Sequence, residues 1–137
     1  MKLKDSYADP ASGESYVLVS YKGNTFNGKA KLHPDDEWSN FTGCRYAEMR
    51  AEIKALKDEW KKKKAACEEC RKFVVAVSQY ANFDKSSPSA KAMFRQLNRR
   101  IKEVNEIAEQ IGLLQMRLNI AISQQNKVKQ NRLNKNT

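Results

Sequence analysis

Between Met49 and Ala81, the side chains Met49, Ile53, Leu56, Trp60, Lys63, Cys67, Cys70, Val74, Val77 and Ala81 recur at alternating steps of four and three. Lys63 alone interrupts the apolar series. A second run, Phe94, Leu97, Ile101, Val104, Ala108, Ile111, Gln115, Leu118 and Ile122, keeps the same rhythm. A sustained period of roughly 3.5 residues belongs to long α-helices packed side by side. It predicts a mainly α fold, a long antiparallel two-helix coiled-coil hairpin, and leaves little room for an enclosed catalytic pocket.

The flanking segments set the boundaries. From Tyr16 to Tyr21 a β-rich run precedes Lys22-Gly23-Asn24 and a second run to Leu32, which is a hairpin signal. Phe26, Ala30 and Leu32 share one face of the second strand, and a two-stranded hairpin needs such a face to pack on the helices. Residues 1–14 read as an irregular lead-in, His33 to Glu37 as a polar corner, and Trp38 and Phe41 as a plug onto the first helix. That helix is expected from Thr42 or Gly43 to about Asn82. Ser87 can cap the second and Pro88 suits its first turn, with the end expected near Gln125. The short link between them forces antiparallel neighbours, residue i facing roughly 170 − i, so that Trp60 would sit against Ile111 and Gly112. The domain reading is therefore 1–43, a lead-in and β-hairpin packed on the helices; 44–125, the helical hairpin; and 126–137, a basic flexible tail. Phe73, Val75 and Ile120 fall off the seam, and a second copy could cover them in a homodimer.

Charge is unevenly spread. The chain carries a net +10, and no acid follows Glu109. A basic balance favours polyanions, nucleic acid above all. No stretch approaches the ~18 apolar residues of a membrane span, so no membrane partner is expected. The opening Met-Lys-Leu-Lys-Asp-Ser-Tyr has no apolar signal core, and the three cysteines are an odd number. Together these predict free thiols and a cytoplasmic location.

Chemistry-bearing clusters are few. Cys67-Glu68-Glu69-Cys70 is a C-x-x-C that Cys44 and His33 could extend to four zinc ligands on paper. On one continuous helix Cys44 and Cys67 would lie about 35 Å apart, whereas zinc ligands converge on one ion. Both cysteines of the motif fall on the seam, where a thiol packs as a small hydrophobe. Asp35, Asp36 and Glu37 read as a solvated loop. There is no phosphate-binding glycine loop and no nucleophile motif. Neither metal, nor cofactor, nor enzymatic activity is expected.

Basic residues form the candidate site. Arg50, Lys54, Lys57, Lys61 and Lys64 make a stripe about 21 Å long beside the seam, with Glu48, Glu52 and Glu59 on its other side. The second helix adds Lys91, Arg95, Arg99 and Lys102, and the tail adds Lys127, Lys129 and Arg132. Such a track suits phosphate backbones. Tyr16, Tyr21 and Phe26 read as packing residues rather than base-stacking ones, so no carrier of sequence-specific readout is visible.

Trp38-Ser39-Asn40-Phe41-Thr42-Gly43-Cys44-Arg45-Tyr46-Ala47-Glu48-Met49-Arg50-Ala51, followed by a basic helix, resembles accessory proteins of phages and mobile elements of Gram-positive bacteria. Phe94-Arg95-Gln96-Leu97-Asn98-Arg99 fits the same likeness. The resemblance implies a non-enzymatic protein that inhibits or redirects host machinery, CRISPR-effector inhibitors being the best-known class. Many of those are acidic DNA mimics. At +10 this chain departs from them, which implies guide RNA, target DNA or an acidic protein surface as the thing bound. Two other classes fit the residues: a sequence-nonspecific nucleic-acid binder, and a structural coiled-coil or virion assembly protein.

Overall fold

A computed structural model describes residues 1–9, 11–31 and 40–135, with the backbone alone described at 40, 41, 128, 129, 132 and 135. The order is β1 (Lys2–Asp9), β2 (Glu14–Tyr21), β3 (Asn24–Lys31), α1 (Asn40–Ser78) and α2 (Pro88–Lys135). The chain is mainly helical with a small N-terminal sheet. The corner at His33–Glu37, Leu32 and the Trp38–Phe41 plug fall outside the described residues and side chains. Packing divides the chain into two units, Met1–Leu56 with Ile111–Thr137, and Lys57–Gln110.

The sheet has three antiparallel strands in the order β1-β2-β3, not two. The expected lead-in is strand β1, whose residues lack the apolar alternation by which a strand is read. Its side chains from Lys2 to Tyr7 are exposed, so the backbone ladder to β2 holds it, and a bulge between Leu3 and Asp5 interrupts the register. Lysines, a bulge and polar side chains are also what protects an edge strand from further pairing. Asp9 closes the turn that follows. Its carboxylate accepts from the Ala11 amide at 3.0 Å and the Ser12 hydroxyl at 2.9 Å, and its carbonyl from the Gly13 amide at 2.9 Å. Between β2 and β3, Lys22 (φ 48°) and Gly23 (φ 83°) both take the positive φ that a type I′ hairpin turn demands.

Alternation then decides the packed face. Ser15, Val17, Val19, Gly28 and Ala30 point inward, while Tyr16 and Leu18 point out. The first unit's core joins Val17, Val19 and Ala30 to Tyr46, Ala47, Ala51 and Ile53 of α1 and Leu118 of α2. On α1 the buried small residues Gly43, Ala47, Ala51 and Ala55 recur every four positions. This strip lets β3 come so close that a Cβ on Gly28 would lie 1.8 Å from the Ala47 carbonyl oxygen. In the same unit the Tyr46 hydroxyl donates to the Ala121 carbonyl at 3.1 Å.

In the second unit Val74, Ala90 and Ile107 are buried. The Ser87 hydroxyl accepts from the Ala90 amide at 3.2 Å, the cap expected at the start of α2. Three expectations need correction. The helix α2 continues to Lys135, so residues 126–135 are helical and not an irregular tail; Gln, Lys and Arg carry no apolar period but are good helix formers. Along α2 the expected Phe94, Leu97, Val104, Ile111, Leu118 and Ile122 are buried or half-buried, but Ile101, Ala108 and Gln115 are exposed, and Arg100, Ile107 and Leu114, each one residue earlier, turn inward in their place. Ile107 and Leu114 bury more apolar surface than Ala108 and Gln115 would, and the helix turns accordingly. Finally, Tyr46 meets Ala121 rather than position 124, and Lys63 meets Glu103 rather than position 107. A Cβ at Gly112 would touch nothing within 4 Å among the described residues.

Candidate polyanion-binding surface

The five stripe residues all lie on α1, but their side chains do different things. Arg50 is half-buried as a residue, and its Nη1 donates to the Lys29 carbonyl of β3 at 2.8 Å. Lys54 donates to Asn27 Oδ1 at 3.0 Å. These two cations hold β3 to α1, a structural task that a stripe drawn on one helix does not reveal. The remaining three lie in the second unit and are exposed. Lys57 and Lys61 make no ion pair among the described residues, and the Lys64 ammonium sits 4.7 Å from the centroid of the Trp60 ring.

Around them four acids already have partners. Lys62 pairs with Asp58 at 3.1 Å one turn away, and Arg71 with Glu68 at 3.0 Å; that guanidinium holds the Glu68 carboxyl below its ordinary range. Asp84 is likewise lowered, by hydrogen bonds from the Ser86 hydroxyl and amide. Lys63, the one break in the seam, has its ammonium 3.5 Å from Glu103 of α2. Both side chains are about two-fifths exposed, so this polar break keeps its water and avoids the penalty of a buried pair.

On α2, Arg95, Arg99 and Lys102 are exposed in the same unit as Lys57, Lys61 and Lys64. Arg95 Nε donates weakly to the Lys91 carbonyl at 3.4 Å, a bond within its own helix. Lys127 is exposed on the first unit's part of α2. The side chains of Lys129 and Arg132 lie outside the described residues. Of the predicted site, Lys57, Lys61, Lys64, Arg95, Arg99 and Lys102 in the second unit and Lys127 in the first are thus the cations that the fold leaves exposed.

The other candidates resolve differently. Cys67 and Cys70 are half-buried free thiols on α1, and Cys70 lines an apolar groove of ≈ 630 Å³ with Phe73, Val77, Tyr80 and Met93. No trio of His, Cys, Asp or Glu able to hold a metal occurs among the described residues. Glu52 is held above the ordinary carboxylate range, first by burial and then by Glu48 beside it. Tyr16, read as a packing residue, stands on the outer face of the sheet near Tyr7, with ring centroids 6.4 Å apart. Its hydroxyl donates to Glu14, which raises the phenol's pKa and lowers the carboxyl's. Among the described residues no helix is long and apolar enough to cross a membrane. The chain matches no family model, no curated protein and no solved structure.

Proposed function

We propose that this is a non-enzymatic binding protein that attaches through exposed helical cations to nucleic acid within a nucleic-acid-handling complex, and inhibits or modulates that complex. The observation that carries the reading is the sorting of charge in the second unit. Lys57, Lys61, Lys64, Arg95, Arg99 and Lys102 are exposed and unpaired with acids among the described residues, while Asp58, Glu68, Glu103 and Asp84 already have partners. Cations left without counter-charges are what a phosphate backbone neutralises, releasing its own counterions. Their scaffold is read as an antiparallel helical hairpin with coiled-coil character, supported by the Tyr46–Ala121 and Lys63–Glu103 contacts. The likeness to phage and mobile-element accessory proteins makes a host nucleoprotein, a CRISPR effector with its guide RNA among them, the target class, acting in the host cytoplasm.

The test is binding of labelled single-stranded RNA, single-stranded DNA and duplex DNA by fluorescence anisotropy across a salt series. Engaging three to six phosphates gives a log–log slope of roughly −3 to −5 on duplex DNA. Reversing Lys57, Lys61 and Lys64 to Glu abolishes this binding without loss of helicity; Arg50 and Lys54 stay untouched because they hold β3. Tight, salt-sensitive binding to any free nucleic acid points to the nonspecific binder. Weak binding to free strands with tight capture of an assembled nucleoprotein points to the modulator. Salt-insensitive or absent binding in every case, or binding unchanged by the triple reversal, refutes the reading.

A further inference from the structure

Cys67 and Cys70 are free thiols, both half-buried on α1 in the second unit. Three positions apart on a helix, their Cβ atoms lie about 5–6 Å from one another on one face. Two metal–thiolate bonds of roughly 2.3 Å each bridge such a gap. A tetrahedral ion would need further donors, and no trio of His, Cys, Asp or Glu able to hold a metal occurs among the described residues. An ion that takes its ligands in line needs only the pair.

The other helix of the same unit shows what stands beside the pair. Lys63 of α1 meets Glu103 of α2, and Cys70 lines one groove with Met93 and Gln96. Cys67 lies between Lys63 and Cys70, and Arg100 lies between Gln96 and Glu103, so the two fall at the same level of the unit. Arg100 turns inward, and its Nε is buried with no hydrogen-bond partner among the described residues. A guanidinium donor is costly to bury alone, and its position marks a place where an anion belongs. On the Cys70 side the groove is walled by Phe73, Val77 and Met93, an apolar setting that disfavours strongly hydrated cations.

We propose that Cys67 and Cys70 form a site for a soft monovalent cation, Cu(I), held by two thiolates in line. Soft sulfur ligands favour Cu(I) over harder ions. On binding, each thiol releases its proton to solvent and two sulfur–copper bonds form, with no change in the oxidation state of copper or sulfur. The complex of two thiolates and one Cu(I) carries one net negative charge. Arg100 supplies the counter-charge, and its Nε donates to sulfur, which makes it a positioning residue. The site is independent of the polyanion reading, since it uses none of Lys57, Lys61, Lys64, Arg95, Arg99 or Lys102.

Anaerobic titration of the full chain with Cu(I), supplied as its acetonitrile complex, tests it. Binding is read from thiolate-to-copper charge-transfer absorption in the ultraviolet and from competition with a chromogenic Cu(I) chelator. The expected result is one Cu(I) per chain. Cys67→Ala and Cys70→Ala each abolish it at unchanged far-UV circular dichroism, whereas Cys44→Ala, in the first unit, leaves it intact. Arg100→Leu weakens Cu(I) binding roughly tenfold to a hundredfold, while the metal-free protein melts at the same temperature or higher because the orphaned donor is gone. Absence of the charge-transfer band, a band that survives either cysteine change or is lost with Cys44, or an Arg100→Leu affinity equal to wild type overturns the proposal.

Discussion

Gly28→Ala tests the central packing feature of the first unit. Ordinarily a β-strand position gains roughly 0.5–1 kcal/mol when Gly becomes Ala. Here the new Cβ would lie 1.8 Å from the Ala47 oxygen and 2.7 Å from the Ala51 nitrogen, both backbone atoms that no side-chain rotation can move. Restoring a carbon–oxygen contact of about 3.3 Å requires β3 and α1 to part by about 1.5 Å. A gap of that order forfeits half or more of the dispersion attraction across the Val17, Val19, Ala30 and Ala47 core. It also stretches the Arg50–Lys29 and Lys54–Asn27 bonds. Overpacking costs typically 1–3 kcal/mol and more where the backbone must move, so the net loss is about 3 kcal/mol, a large share of a domain's usual stability. Urea denaturation followed by circular dichroism measures it. Gly112→Ala is the internal control: its Cβ meets nothing within 4 Å among the described residues, and the helix gains about 1 kcal/mol. Equal stabilities for wild type and Gly28→Ala would refute the close approach of β3 to α1.

Three further perturbations follow from local geometry. The Ser15 hydroxyl is fully buried with no hydrogen-bond partner among the described residues, and a Cβ on Gly43 would come 2.3 Å from it; Ser15→Ala is expected to stabilise by about 1 kcal/mol, and in a double-mutant cycle to rescue Gly43→Ala, whereas strict additivity would contradict the contact. Glu52 is raised by burial and by Glu48, so its native pKa exceeds its unfolded one and ionisation disfavours the fold. Stability from this group is therefore fully present below the unfolded pKa and lost as pH rises through the folded one, and Glu52→Gln should stabilise at pH 7 with no advantage at pH 4, read from paired denaturation curves. Ser87→Ala removes the α2 cap and should cost about 1 kcal/mol; a thermal-melt difference indistinguishable from zero would mean that the helix start is held by other contacts.

The seam on α1 was legible because Ile53, Leu56 and Val74 are buried at the positions the rhythm assigns them. On α2 the same rule met neighbours, Ile107 beside Ala108 and Leu114 beside Gln115, and a period alone does not choose between them; the larger apolar side chain takes the inward place. Strand β1 left no trace in its pattern, since a strand bound through its backbone at a sheet edge needs no alternating side chains. Lys63 looked anomalous because its partner Glu103 is on the other helix. Arg50 and Lys54 fitted a stripe on α1 and proved to be ties to β3 for the same reason. The repeat Gly43, Ala47, Ala51, Ala55 was present in the sequence, and small residues at steps of four were the signal for the close strand.

That close strand bears on how the fold can vary. Most core contacts are made by side chains, and a larger residue on one side can be balanced by a smaller one opposite. Where Gly28 meets Ala47 the touching groups are peptide units, so there is no volume to exchange. Proteins sharing this fold are expected to keep glycine at that point while the exposed cations drift. A survey of such sequences would therefore find its most constant residue in a place that binds nothing, and constancy there would report the distance between a strand and a helix.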